Sequence, residues 1–142
     1  FFKSLKIQLL SLSSLDVRFN VKHIVSLHHS SVVVSDLAVS RQFYEGLLGL
    51  TPSDKRPKLP YDGAWYEIGD QQVHLLVVPN CEAGLVRPEH GGIDRHIALK
   101  VADLEALKAD LDRAGVRYSV SKSGRPAMFC RDPDGNALEF MG

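Results

Sequence analysis

Hydrophobic and polar residues alternate along two stretches of the chain. Val32 and Val34 mark the first stretch, and Ile97 and Leu99 mark the second. Alternation of this kind is typical of a half-buried strand. After each stretch, apolar residues recur at intervals of three and four, as on one face of a helix. The pattern therefore predicts a strand followed by a helix, present twice in the chain.

The two copies have the same spacing. His29 and His96 lie 67 residues apart, and each is followed seven residues later by an Asp-Leu pair. Asp36 and Asp103 are therefore predicted to cap the helices, because an aspartate carboxylate accepts hydrogen bonds from the first free amides. Each helix is expected to end at a glycine followed by an apolar residue, at Gly49-Leu50 and Gly115-Val116.

The second half of each copy predicts more strands. Residues 63–68 and 73–78 read as strands around a Gly-Asp turn, and residues 126–131 and 137–141 read as strands around an Asp-Pro-Asp-Gly-Asn turn. We interpret each copy as a strand, a helix and three strands, and predict an α+β fold with two paired βαβββ modules. The two sheets would form a curved half-barrel around a shared cleft, since each sheet face needs cover.

This interpretation gives a domain plan. Residues 23–142 form a single domain, and residues 1–22 form an N-terminal extension. Within the domain, module one covers about residues 25–78, a linker covers 79–92, and module two covers about 93–142. The linker is rich in glycine and proline, as is typical of a connection between modules.

Alternation also predicts which side chains enter the cleft. On each strand, the apolar residues of one parity suit the helix side, so their neighbours face the opposite side. Alternation predicts in this way that four side chains that can bind metal point into one cavity: His29, His74, His96 and Glu139. Three imidazoles and a carboxylate suit a divalent first-row ion, namely Zn, Ni, Fe(II), Co or Mn. Burial of Glu139 without a cation would also cost several kcal/mol.

Composition narrows the function classes. The chain has 17 basic and 17 acidic residues, so no overall field attracts nucleic acid or an anionic membrane. Two distant cysteines, Cys81 and Cys130, are too few for a disulfide framework, which indicates a reducing, cytoplasmic compartment. The expected partner is a small-molecule substrate.

Cationic side chains near the cleft are candidates for substrate binding. Arg125, Arg131 and Arg95 could clamp a carboxylate or phosphate through paired hydrogen bonds, with Lys122 beside them. The alternative is that they are solvated loop charges. Trp65 could line the pocket or pack in the core.

Several motifs together resemble one known family. They lie at residues 27–29 with 32–37, 43–44 with 47–50, 74–75, 96–98, and 132–136 with 138–140. In this combination the chain resembles the vicinal oxygen chelate superfamily, which is also called the glyoxalase, bleomycin-resistance and dioxygenase superfamily. The resemblance covers residues 25–142. It implies paired βαβββ modules around one metal, with His29 and His74 from module one and His96 and Glu139 from module two.

The resemblance implies a metal-dependent lyase or isomerase of glyoxalase type, with Glu139 or a loosely bound His74 as the base. Glyoxalase I members usually have Glu or Gln at the position of His74, and this departure argues against lactoylglutathione lyase activity itself. Extradiol dioxygenases with Fe(II) and fosfomycin-type thiol transferases use two histidines and one carboxylate, here His29, His96 and Glu139. A drug-binding protein of the bleomycin-resistance type is the fourth alternative. The resemblance also implies a homodimer, with modules paired within one chain or exchanged between chains.

Overall fold

A computed structural model of the chain describes residues 23–142, and the predicted N-terminal extension, residues 1–22, lies outside the described residues. Seven strands and two α-helices follow one another along the described chain. Their order is β1 (His29–Val34), α1 (Leu37–Arg41), β2 (Gly63–Ile68), β3 (Gln71–Val77), β4 (His96–Lys100), α2 (Leu104–Arg113), β5 (Tyr118–Val120), β6 (Ala127–Arg131) and β7 (Ala137–Met141). A π-helical segment, Gln42–Leu47, continues α1, and a 3₁₀ turn, Gly91–Ile93, precedes β4.

The strands form two separate open sheets. Module one has the order β1-β3-β2 and module two the order β4-β7-β6-β5. In both sheets the first strand pairs in parallel with the last strand of its module, so β1 lies beside β3 and β4 lies beside β7. The predicted α+β fold with two repeated modules is confirmed.

The predicted helix boundaries are also correct. The Asp36 carboxylate accepts hydrogen bonds from the amides of Ala38 and Val39, and the Asp103 carboxylate accepts one from Ala106. Gly49 and Gly115 follow the helical segments with φ angles of 71° and 66°. This left-handed region is open to glycine and costly for other residues, which is why the helices end there.

Module one departs from the prediction of three strands after the helix. Only β2 and β3 form there, and the first of the three is reduced to an isolated bridge between Pro52 and Tyr66. Proline has no amide hydrogen to donate to a ladder, so Pro52 cannot extend the pairing. The corresponding strand of module two, β5, lacks proline and pairs with β6 over three residues.

The core lies on the helix side of both sheets and is shared by the two modules. Val34, Tyr44 and Tyr66 from module one and Leu138 and Phe140 from module two belong to one cluster of buried residues. The alternation holds for the residues it used, because Val32, Val34, Leu75, Leu138 and Phe140 belong to this core. Phe129 of β6 is an exception, since it is buried against His90 and His96. None of the helices within residues 23–142 has the length and apolar character needed to cross a membrane.

Candidate metal centre

In module one, two of the predicted ligands lie side by side in a stack of aromatic rings. The rings of His29 and His74 are nearly parallel, with centroids 4.3 Å apart. Trp65, directly opposite His74 in the antiparallel ladder, stacks on the other side of it at 4.0 Å. Neighbouring strands bring these side chains to the sheet face away from the core, so β1, β2 and β3 each contribute one ring.

His74 is held as a neutral imidazole. Burial and the nearby rings of His29 and His28 lower its pKa from 6.5 to about 4. Its Nε2 lies 2.9 Å from Oε1 of Gln72, which can only accept, so Nε2 carries the hydrogen and Nδ1 keeps a lone pair. A neutral imidazole of this kind can bind a metal ion or accept a proton at pH 7.

In module two, the predicted ligands that lie together are an imidazole, His96, and a carboxylate, Glu139. His96 Nε2 lies 3.1 Å from Oε2 of Glu139. His96 Nδ1 lies 2.9 Å from the backbone carbonyl of Asp94. The Glu139 side chain is only 5% exposed, and its second oxygen, Oε1, accepts no hydrogen bond, although Arg125 Nη2 lies 3.5 Å away.

These contacts fit a cation at the module-two pair. A carbonyl accepts only, so His96 Nδ1 must donate to Asp94, and Nε2 carries either a second proton or a lone pair. A lone pair facing a carboxylate at 3.1 Å is repulsive, so either a second proton on Nε2 or a bound cation must lie between the two groups. The orphaned Oε1 of Glu139 points to the same need, because buried carboxylate oxygens are normally satisfied.

The four predicted ligands are brought together as two pairs. Within residues 23–142, no three His, Cys, Asp or Glu side chains lie close enough to hold a single ion. The expectation that one chain gathers all four in one cavity is therefore not met by the chain alone. The reason lies in the packing of the modules: they share a core on the helix side, so nothing forces their opposite faces to close on each other.

The predicted substrate-binding residues have different environments. Arg125 is 57% exposed beside Glu139, and Lys122 on the same loop is exposed. Arg95 forms an ion pair with Glu82 of the linker. Arg131 donates to Asp94 and to the carbonyls of Gly135 and Pro88, so its guanidinium is already occupied by the protein. Trp65 is half-buried and contacts His74.

A cleft of about 800 Å³ lies beside His96, between β1 and β4. Its walls include the linker and the ends of both edge strands, among them Ser31, Val33 and His96. Arg95 and Arg131 line this cleft, whereas Arg125 does not. The cleft is therefore lined by one predicted metal ligand, His96, and by two of the predicted substrate-binding arginines, Arg95 and Arg131.

Sequence reasoning missed two residues that hold the predicted ligands. Gln72 bonds to His74, and Asp94 bonds to His96. Each lies two residues before the histidine that it contacts. Gln72 lies on β3 and shares a face with His74, a signal that is visible in the sequence. Asp94 contacts His96 through its backbone carbonyl, before β4 begins, so no side-chain pattern indicates it.

Comparison with known proteins gives consistent matches. The sequence model of the Glyoxalase/Bleomycin resistance protein/Dioxygenase superfamily matches residues 26–140. Glyoxylase I 4 of Arabidopsis thaliana is 29% identical over 126 residues, which cover 85% of this chain and 72% of that protein. The glutathione transferase FosA of Serratia marcescens is 36% identical over 118 residues, which cover 81% and 79%. The structure of TnmS3, an antibiotic-binding protein from Streptomyces sp. CB03234, matches with a TM-score of 0.63 at 22% identity, over 84% of this chain and 96% of that chain.

Proposed function

Because the chain belongs to the Glyoxalase/Bleomycin resistance protein/Dioxygenase superfamily, we propose that it is a metal-dependent enzyme of glyoxalase type. It acts as a lyase or isomerase on a small oxygenated metabolite that is chelated to a divalent metal. The metal ligands are His29 and His74 of module one and His96 and Glu139 of module two. The resident ion is one of Zn, Ni, Fe(II), Co or Mn, the ions that suit this mixture of ligands.

One observation carries this proposal: the buried, half-satisfied carboxylate of Glu139 faces His96 across 3.1 Å. A solvated surface pair would not need a metal, but the Glu139 side chain is only 5% exposed. Its Oε1 has no hydrogen bond and only a long ion pair with the exposed Arg125, at 3.5 Å, so burial of the ionised carboxylate remains costly. A divalent cation removes the cost, which supports a binding role over a structural one.

The residues of the site divide the chemistry among them. When bound, a divalent metal polarises two neighbouring substrate oxygens and spreads the negative charge that develops on them. His74, neutral at pH 7, accepts a proton from the carbon beside a carbonyl if it is only loosely bound to the metal, and Glu139 is the alternative base if it detaches. Arg125 and Lys122 lie on one exposed loop beside Glu139 and attract an anionic group of the substrate. The preferred substrate class is therefore a small oxygenated carboxylate or phosphate.

We place the complete centre between two copies of the chain. Each chain supplies one histidine pair and one histidine–carboxylate pair, and the two pairs do not converge within residues 23–142. A dimer with two-fold symmetry joins module one of one copy to module two of the other, twice over. Both cysteines are free, with Cys81 exposed and Cys130 buried, which supports a reducing compartment such as the cytoplasm.

Mixing of two inactive variants tests this arrangement. His29→Ala disables module one and His96→Ala disables module two, and both side chains are exposed enough to be removed without opening the core. If the centre lies between chains, each mixed dimer contains one site with both pairs intact. After subunit exchange, we expect about a quarter of the wild-type metal sites to return, measured by equilibrium dialysis with Co(II) or Zn(II).

The controls separate the metal centre from its location. Each variant alone should bind no metal tightly, whereas His23→Ala, a change of an exposed histidine outside both pairs, should bind like wild type. Full loss in the single variants without recovery on mixing would contradict the two-chain centre. Retention of metal by His96→Ala would contradict the metal centre itself and leave a binding protein as the better explanation.

The similarity to a glutathione transferase favours a thiol transferase as the second candidate. In that alternative, His29, His96 and Glu139 hold the metal, and His74 is not needed as a ligand. His74→Ala distinguishes the two. A centre with four ligands loses about 10- to 100-fold in metal affinity in this variant, while a centre with three ligands keeps its affinity.

A further inference from the structure

Asp94 contacts a proposed metal ligand through its backbone and a buried cluster through its side chain. The residue ends the 3₁₀ turn Gly91–Ile93, two positions before His96. Its carbonyl accepts the hydrogen of His96 Nδ1 at 2.9 Å. Its carboxylate is only 8% exposed and lies among arginines. The conformation of one residue therefore connects the ligand to the cluster.

The cluster, which we call the linker clamp, consists of Arg87, Asp94 and Arg131. Arg131 Nη1 donates to Asp94 Oδ2 at 2.8 Å, and Arg87 Nη1 donates to Oδ1 at 3.2 Å. The Asp94 Oδ1 atom also accepts the amide hydrogen of Arg95 at 2.8 Å. Both carboxylate oxygens are thus held, and the backbone around Asp94 cannot rotate without breaking an ion pair.

Arg131 extends the clamp to the strand that carries the other ligand. Its guanidinium donates to the carbonyl of Pro88 in the linker at 2.6 Å and to the carbonyl of Gly135 at 2.7 Å. Gly135 lies in the turn between β6 and β7, just before the strand that bears Glu139. A single side chain therefore joins the backbone that orients His96 to the turn that leads to Glu139.

A mostly buried ion pair is weak evidence for stability, because the cost of removing both charges from water offsets much of their attraction. What such an ion pair can provide is a fixed geometry. Here it fixes the backbone of Asp94, whose carbonyl accepts the hydrogen bond from His96. We propose that Asp94 and Arg131 are positioning residues that hold His96 with its hydrogen on Nδ1 and its Nε2 directed towards Glu139. This inference rests on the proposed function for the statement that Nε2 binds the metal. It also replaces the expected substrate-binding role of Arg131 with a role inside the protein.

Two kinds of measurement test the clamp, and the first needs no metal. Nitrogen NMR of metal-free protein labelled at histidine reports which ring nitrogen of His96 carries hydrogen, with His96→Gln used to assign the signal. An unconstrained histidine side chain prefers the hydrogen on Nε2, so a neutral ring held by the clamp should differ from it and carry the hydrogen on Nδ1. Asp94→Asn and Arg131→Gln should move the signal towards that of an unconstrained histidine.

The second measurement is metal affinity in the folded protein below its unfolding temperature. Removal of a group that orients a ligand typically weakens metal binding by about 10- to 100-fold, and we expect that loss for Arg131→Gln. Arg87→Gln leaves Asp94 paired with Arg131 and should give a smaller loss, which keeps the test available if the other variants do not fold. Arg113→Gln is the matched control, because Arg113 forms an exposed ion pair with Asp110 on α2. It should change neither readout.

The outcomes are separable from those of the proposed function. A wild-type His96 with hydrogen on Nε2 and none on Nδ1, or clamp variants with unchanged tautomer and unchanged metal affinity, would overturn the inference. If the wild-type protein binds no metal, the proposed function fails. The tautomer measurement then decides the positioning role alone, and a shift in the clamp variants would still support it.

Discussion

The two ligand pairs of this protein are held by different forces. In module one, His74 lies between the rings of His29 and Trp65, and its pKa is lowered to about 4. In module two, His96 is fixed by a carbonyl on one side and faces a buried carboxylate on the other. Module one therefore holds a neutral His74 within a stack of rings, whereas module two holds a buried carboxylate beside His96.

This difference has a consequence for the protein without metal. Stacked aromatic rings are stabilised by their mutual contact, and this interaction needs no cation. The Glu139 carboxylate has one oxygen without a hydrogen bond and only a long ion pair with the exposed Arg125, so a bound cation would offset its desolvation. Module two should therefore provide most of the selectivity for a cation. Module one should provide imidazole ligands whose positions do not depend on a bound cation.

The largest expected effect comes from removal of the charge in module two. Glu139→Gln keeps the shape of the side chain but removes its negative charge, so metal affinity should fall on the order of 100-fold or more. The metal-free variant should be as stable as wild type or more stable, by about 1 kcal/mol, because the buried charge is gone. Titration with Co(II) and thermal unfolding after chelation measure the two effects.

A change in module one serves as the counterpart of that experiment. His74→Gln removes a ring from the stack, so the metal-free variant should unfold at a lower temperature than wild type. Opposite signs of the stability change in the two variants would sharpen the contrast between the modules. A large loss of stability in metal-free Glu139→Gln would contradict it, because the carboxylate would then have a structural role.

The sequence predicted the strand face on which each of these side chains lies, because that depends on local rules. A period of two along β3 and β7 directs His74 and Glu139 to one face, and aspartate caps set where each helix begins. The rules act over a few residues, so one sequence is enough to apply them. The repeat then extends the same result from module one to module two.

The relation between the modules was beyond those rules. Tyr44 donates to Asp132 across 88 positions of the chain, and Asn136 donates to the carbonyl of Val33. Such contacts join module one to module two, and no local pattern indicates which surfaces meet. For the same reason, the partners of Arg131 were not predicted: its cationic side chain could have faced a substrate or, as observed, Asp94.

The next prediction, with a smaller expected effect, concerns the pH dependence of stability that His74 gives to module one. In the metal-free protein, the folded pKa of His74 is about 4 and the unfolded value is 6.5, so the unfolded state binds the proton more tightly. This stability contribution is present above pH 6.5 and is lost as the pH falls towards 4. Between pH 7 and pH 5 it should lower the free energy of unfolding by about 2 kcal/mol.

His74→Phe is the control for that prediction, because it keeps a ring against Trp65 but cannot bind a proton. Urea unfolding of both proteins after chelation should show the extra loss at pH 5 in wild type only. Equal pH dependence in the two proteins would mean that His74 is not held neutral by burial. The contrast between a neutral His74 in module one and a buried carboxylate in module two would then no longer hold.

The smallest expected effect concerns the stack itself. Trp65→Leu removes the ring that lies parallel to His74 at 4.0 Å, and aromatic pairs contribute about 0.5–1.5 kcal/mol beyond the area they bury. In a double-mutant cycle with His74→Leu, we expect a coupling free energy of about 1 kcal/mol, measured by urea unfolding of metal-free protein at pH 7. The same cycle between Trp65→Leu and His96→Ala should give a coupling near zero, because His96 belongs to the other sheet. Substantial coupling in the second cycle would show that the two pairs are joined even without metal, and the modules would then no longer act as independent halves of the centre.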